Sequence, residues 1–144
     1  DGLVVGNRLM SAGEYDLALK AFFRAGAERG MPADVLSAIG SANLQLGRLA
    51  QSEQQLRQAV EADPKFVPAW NNLGAVLMEK GEYSEASRIF QQAFALDSGN
   101  SDDIRNNLTL ALAKKDQLRY PEPSENNEID LDWQGNGSYL LVSP

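Results

Sequence analysis

Gly6, Gly40 and Gly74 lie 34 residues apart, and Gly13, Gly47 and Gly81 repeat the same interval. A fixed period held through most of a chain means that one supersecondary unit is copied in tandem. A single copy cannot bury its own apolar face, so successive copies must stack into an elongated array. This spacing constrains the fold more than any individual residue does.

The third unit shows what is being copied. Trp70-x-x-Leu73-Gly74-x-x-Leu77 places apolar and small residues on one helical face, Lys80-Gly81-Glu82 forms a turn, and Tyr83, Ala86, Phe90 and Ala93 mark a second helix. Gly74 and Ala86 are small where the two helices approach, while Trp70, Leu73 and Phe90 fill the space around them. Gly81 ends the first helix in the left-handed region. The motif resembles the tetratricopeptide repeat (TPR) family, with Leu77 replacing the usual tyrosine. The resemblance implies an all-α, right-handed α-solenoid of helix–turn–helix units that serves as a protein-binding scaffold.

The same register runs outward from this unit. The second, about residues 33–66, carries Leu36, Ile39, Gly40, Gly47, Leu56 and Ala59 and closes on Asp63-Pro64, with Ser52 where alanine is usual. The first, about residues 1–32, has Gly2 at the tryptophan position, which predicts a short or frayed first helix that a preceding segment could cover. After the third unit (67–100), Ser101-Asp102-Asp103 starts one more helix. That segment, 101–115, is expected to cap the array, giving about seven helices within residues 1–116. Residues 117–144 form an acidic tail, extended and partly strand-like. Tyr120-Pro121-Glu122-Pro123 is extended, Glu125–Glu128 polar, Ile129–Trp133 alternating, Gly135-Asn136-Gly137 a turn and Tyr139–Val142 a short strand. Trp133, Tyr139, Leu140 and Val142 are the expected anchor of an ordered tail.

Composition removes whole classes of function. The 144 residues contain no cysteine and no histidine, so disulfides, thiolate or imidazole metal sites and every His- or Cys-dependent triad are excluded. Asp102, Asp103 and Asp116 read as helix capping and solvated surface rather than a metal site, and no cofactor is expected. The net charge of −7 argues against a nucleic-acid partner. All five charged residues after Arg119 are acidic. No run of apolar residues is long enough for a membrane span. The chain opens on Asp1 rather than methionine, which suggests an upstream segment, a signal or lipid-anchor sequence, removed from view.

Binding is therefore expected in the concave groove. In the family, the groove is lined by the first helix of each pair. Residue by residue, the resemblance assigns Asn7, Ser37, Ser41, Asn71, Asn72, Ala75, Met78, Arg105 and Asn106 to a peptide-binding groove. Leu3, Val4, Met10, Asp34 and Ala38 lie on the same face. Met10 and Met78 read first as packing, the more usual role of a methionine on a helix, and second as adaptable binding surface. Asn72 and Asn106, one repeat apart, each offer a donor and an acceptor, which matches a peptide unit. Asparagine ladders of this kind bind extended peptides in the family; the alternative is that the asparagines solvate the groove or bond neighbouring helices. A carboxylate clamp needs inward cations, and Leu3, Val4, Ala38 and Pro68 stand where those would be, leaving Arg105 alone.

Two readings of function remain. One is a scaffold that holds a protein or peptide segment in the groove. The helical part, ending in Arg105–Ala113, is similar to repeat proteins of bacterial tight-adherence (Flp) pilus assembly. That similarity implies a lipid-anchored component facing the periplasm, with the cytoplasm as the alternative. In the other reading, the tail fills its own groove or a neighbour's, making the array autoinhibited or a homo-oligomer. No residue pattern in the chain supports an enzyme.

Overall fold

A computed structural model of the protein describes residues 1–119 and 128–143. The helices are α1 (Gly2–Ser11), α2 (Tyr15–Arg29), α3 (Ala33–Gln45), α4 (Leu49–Ala62), α5 (Val67–Glu79), α6 (Tyr83–Leu96) and α7 (Asp102–Arg119). Two strands follow, β1 (Asp130–Trp133) and β2 (Tyr139–Val142), paired antiparallel with Trp133 opposite Tyr139. The helices pack as three hairpins, α1/α2, α3/α4 and α5/α6, in a right-handed α-solenoid that α7 closes against α6. The tail segment 120–127, with its Tyr120-Pro121-Glu122-Pro123 and most of the polar stretch after it, lies outside the described residues.

Each helical hairpin is built the same way. Gly81 sits at φ +78°, and the next amide, Glu82 N–H, returns to Leu77 O at 2.9 Å. The equivalent bonds, Glu14 N–H to Leu9 O and Arg48 N–H to Asn43 O, are also 2.9 Å. At the close approach, a Cβ on Gly74 would overlap the Phe90 ring, and one on Gly40 would come within 2.7 Å of Leu56 Cγ. Ser52 turns its departure from alanine to use, donating from Oγ to Gly40 O at 2.8 Å across the helix pair. Trp70 Nε1 donates to Pro64 O at 2.8 Å, tying the start of one repeat to the proline that ends the previous one.

The ends of the array differ from the expectation. The first helix is short, 10 residues against 13 for α3 and α5, but it does not begin frayed. Asp1 Oδ1 accepts from Leu3 N–H at 2.9 Å and Val4 N–H at 3.0 Å, which caps it. Gly2 fits because a Cβ there would lie 2.7 Å from Ala21 O. The capping helix is longer than residues 101–115, reaching Arg119. Residues 97–101 join α6 to α7, one residue more than the 63–66 connection between α4 and α5.

Buried side chains form two clusters. One is N-terminal and contains Met10, Phe22, Val35 and Ile39. The other contains Leu44, Leu56, Leu73, Leu77, Phe90 and Ala111, together with Tyr139 and Leu141 from β2. Trp133 of β1 packs against both. The two strands therefore share the core of the array. Their inward residues are Tyr139 (0% exposed) and Leu141 (4%), whereas Leu140 is half-buried and Val142 is 41% exposed. The expected anchor is corrected accordingly. A strand alternates faces, so Tyr139 and Leu141 share the inward side and their neighbours point away.

Candidate functional site

The β-hairpin lies along the side of the array formed by α1, α3, α5 and α7. Its turn is closed by Gln134 N–H donating to Ser138 O at 3.1 Å, with Gly135 and Gly137 at positive φ and Asn136 Oδ1 accepting from Ser138 N–H. The turn borders a cleft with Val4, Asn7, Arg8 and Ser11 of α1. From there β2 crosses toward α5 and α7. A two-stranded hairpin is marginal in water by itself, so this one depends on what it docks against.

Three asparagines hold its backbone. Asn72 Nδ2 donates to Gly137 O at 2.8 Å, and its Oδ1 accepts from Tyr139 N–H at 3.2 Å. Asn107 repeats the arrangement two residues on, with Nδ2 donating to Tyr139 O at 2.9 Å and Oδ1 accepting from Leu141 N–H at 2.8 Å. Each side chain thus grips the C=O of residue n−2 and the N–H of residue n. Asn71 lies between them, its Nδ2 donating to Tyr139 O at 3.0 Å while its Oδ1 accepts from Asn107 Nδ2 at 2.9 Å. All three asparagines are fully buried.

The network continues into α3. Asn72 Nδ2 also donates to Ser41 Oγ at 3.0 Å, and Ser41 Oγ donates to Ser37 O at 2.9 Å. The Tyr139 hydroxyl donates to Ser41 O at 2.8 Å. Burial, opposed by a hydrogen bond with Gln45, pushes the Tyr139 phenol well above its ordinary value, so it stays a neutral donor. Its ring meets Trp133 edge to face, with centroids 5.0 Å apart.

The groove residues read from the sequence fall into three sets. Ser41, Asn71 and Asn72 bond the hairpin directly or at one remove, and Ala75 and Met78 are buried beneath it in α5. Asn7 and Ser37 line a cleft of about 230 Å³ beside Trp133 and Gly137. Arg105 and Asn106 are exposed, and Arg105 bonds Asp102 at 2.7 Å and Gly99 O at 2.8 Å. Asn107, not Asn106, takes the ladder position. The longer α6–α7 connection moves α7 forward by one residue, so the partner of Asn72 falls 35 positions later instead of 34. The one available signal was Leu108 standing where a repeat needs glycine.

Charge gathers at the other end of the hairpin. A cleft of about 510 Å³ is lined by Glu79, Lys80, Glu128 and Asp130. Burial, then the neighbouring Asp130 charge, hold the Glu79 carboxyl above the usual carboxylate range. Farther out, Glu53 accepts from Lys80 at 2.6 Å and Arg57 at 2.9 Å, and Arg57 reaches Glu85 at 3.0 Å, joining α4, α5 and α6. Lys80 first, opposed by burial and aided by Arg57, lowers the Glu53 carboxyl. Among the described residues no helix is long and apolar enough to cross a membrane.

The tetratricopeptide repeat family model matches residues 5–65 and 37–103. Small glutamine-rich tetratricopeptide repeat-containing protein 2 of Mycosarcoma maydis is 30% identical over 85% of this chain; the chain spans 34% of that relative's length. Among solved structures, the Sgt2 TPR domain from Aspergillus fumigatus superposes with a TM-score of 0.76 at 23% identity, covering 91% of this chain and 87% of that one. The first TPR of Spaghetti (RPAP3), bound to an HSP90 peptide, gives 0.70 at 20% identity, covering 77% and 87%.

Proposed function

The chain belongs to the tetratricopeptide repeat family, and on that premise we propose that it is a protein-interaction scaffold that holds an extended segment along its concave face. The observation that carries this reading is the repeated grip of Asn72 and Asn107 on backbone groups two residues apart. Such a grip reads the peptide backbone and needs no particular side chain. A solved relative of the same fold holds a chaperone peptide, which supports the reading. In this chain the seat is taken by the chain's own hairpin, so the scaffold is autoinhibited and an external segment must displace β2. A second copy's hairpin fits the same seat, and exchange between copies would give a symmetric dimer. A mass that stays monomeric at every concentration would exclude that exchange. Pilus or secretion-machine assembly, expected from the similarity of the helical part, has no counterpart in the names of the relatives reported above.

Panning a random peptide library tests the scaffold. The target is the full chain carrying Tyr139→Ala, which loosens the hairpin. The counter-target adds Asn71→Ala, Asn72→Ala and Asn107→Ala. Binders that need the asparagines are expected; a library yielding none would sink the reading.

A further inference from the structure

The docked hairpin also shows which segment the groove prefers. We propose that the external partner of this groove is an uncharged, extended stretch from the interior of a polypeptide, in which a tyrosine stands two residues before a leucine or a similar aliphatic. This rests on the scaffold reading and adds the partner's chemistry to it.

Four observations define that chemistry. The ladder bonds residues 137, 139 and 141 through their backbone, with chain continuing on both sides, so no terminal carboxylate is needed. The Tyr139 pocket is fully closed, and its floor is the Ser41 carbonyl, which accepts the hydroxyl at 2.8 Å. Phenylalanine would fill the ring volume but leave that carbonyl without the hydroxyl. The next inward position is filled by Leu141 against the core of α5, α6 and α7. Between and beyond them, Ser138 and Leu140 are half-buried and Val142 is exposed, so these positions tolerate variety.

Charge fits the same picture. The array's hydrogen bonds to Tyr139 and Leu141 come from side-chain amides and the Ser41 carbonyl, and Arg105 is turned outward onto Asp102 and Gly99 O. An acid placed at the tyrosine or leucine position would lose its hydration, since both inward side chains are buried in the apolar core of the array. The partner must also outcompete a tethered ligand, whose effective concentration through a short connection is on the order of millimolar.

A fluorescent peptide with the sequence of residues 136–143 is the probe, and its binding is read by anisotropy on the full chain carrying Tyr139→Ala and Leu141→Ala. The unaltered peptide is expected to bind at least about tenfold more tightly than versions with tyrosine replaced by alanine or the inner leucine by aspartate. Amidating its C-terminus should change affinity less than about twofold. Equal affinity for a scrambled peptide, or a strict need for a free carboxylate, overturns the proposal. If the double variant loses helical circular dichroism, the wild-type chain with excess peptide serves instead. Faster hydrogen exchange at the Tyr139 and Leu141 amides is then expected with the unaltered peptide and not with the scrambled one; equal exchange with both overturns the proposal. Library binders that depend on the asparagines yet lack the tyrosine–leucine spacing would leave the scaffold standing and remove this inference.

Discussion

Asn107 makes two bonds to β2 and one to Asn71 while fully buried, so its loss would leave the Leu141 amide and Asn71 Oδ1 without those partners, while Tyr139 O keeps its bond from Asn71. Each stranded buried group costs about 1–3 kcal/mol. Asn107→Ala is therefore expected to destabilise the docked hairpin by about 2 kcal/mol or more, read as faster exchange at the Tyr139 and Leu141 amides. Asn106→Ala, on the exposed side, should change it by less than about 0.5 kcal/mol. Comparable effects from both would mean that the ladder is misassigned. Residues at this scale were legible only while the period lasted. Asn71 and Asn72 sit inside a complete repeat, and counting placed them correctly on α5. Asn107 follows a connection one residue longer, a slip that shows in the sequence as Leu108 standing where the repeat needs glycine.

The helices were the most legible elements, because each combines a small-residue contact, a glycine turn and an amphipathic face at fixed spacing. The hairpin was half legible. Its strand-like run and turn glycines were visible, but which alternate residues faced inward depended on the surface it met. That surface leaves one contact electrostatically unfavourable. Glu79 binds its proton more tightly in the folded protein than in the unfolded chain, so its contribution to stability falls as pH rises through the window between those two values. Glu79→Gln should raise the melting temperature at about pH 7 by no more than about 1 kcal/mol equivalent, since half-exposed like charges are screened. The gain should vanish in acid below the ordinary carboxylate range, where the carboxyl is protonated in the folded and unfolded chain alike. An equal gain at both pH values would assign the effect to packing. Glu53 has the opposite sign: its lowered carboxyl contributes above the ordinary carboxylate range and loses that contribution as acid protonates it.

Stacked repeats usually touch only their neighbours, so their stability is close to a sum of local terms. Here the hairpin connects distant ones. Its turn borders α1, Tyr139 bonds α3, and the ladder joins α5 to α7. Trp133 packs on both clusters of buried side chains and so couples the two halves of the array. Trp133→Ala should lower stability by about 3–5 kcal/mol, less any relaxation of the site. It should also broaden calorimetric unfolding so that the van't Hoff enthalpy falls below the calorimetric one. A single sharp transition in that variant would show that the array is cooperative without the strands.

That coupling also carries a clock. Leu141 follows Asn107, its partner in the ladder, by 34 residues. At translation rates of about 5–20 residues per second, Asn107 is made roughly 2–7 s before the strand residue that it will hold. A newborn chain therefore passes through an interval in which its helices can assemble while the seat on their inner face stands empty. A partner made nearby could occupy it then without evicting anything, and the moment of capture would be set by synthesis rather than by affinity.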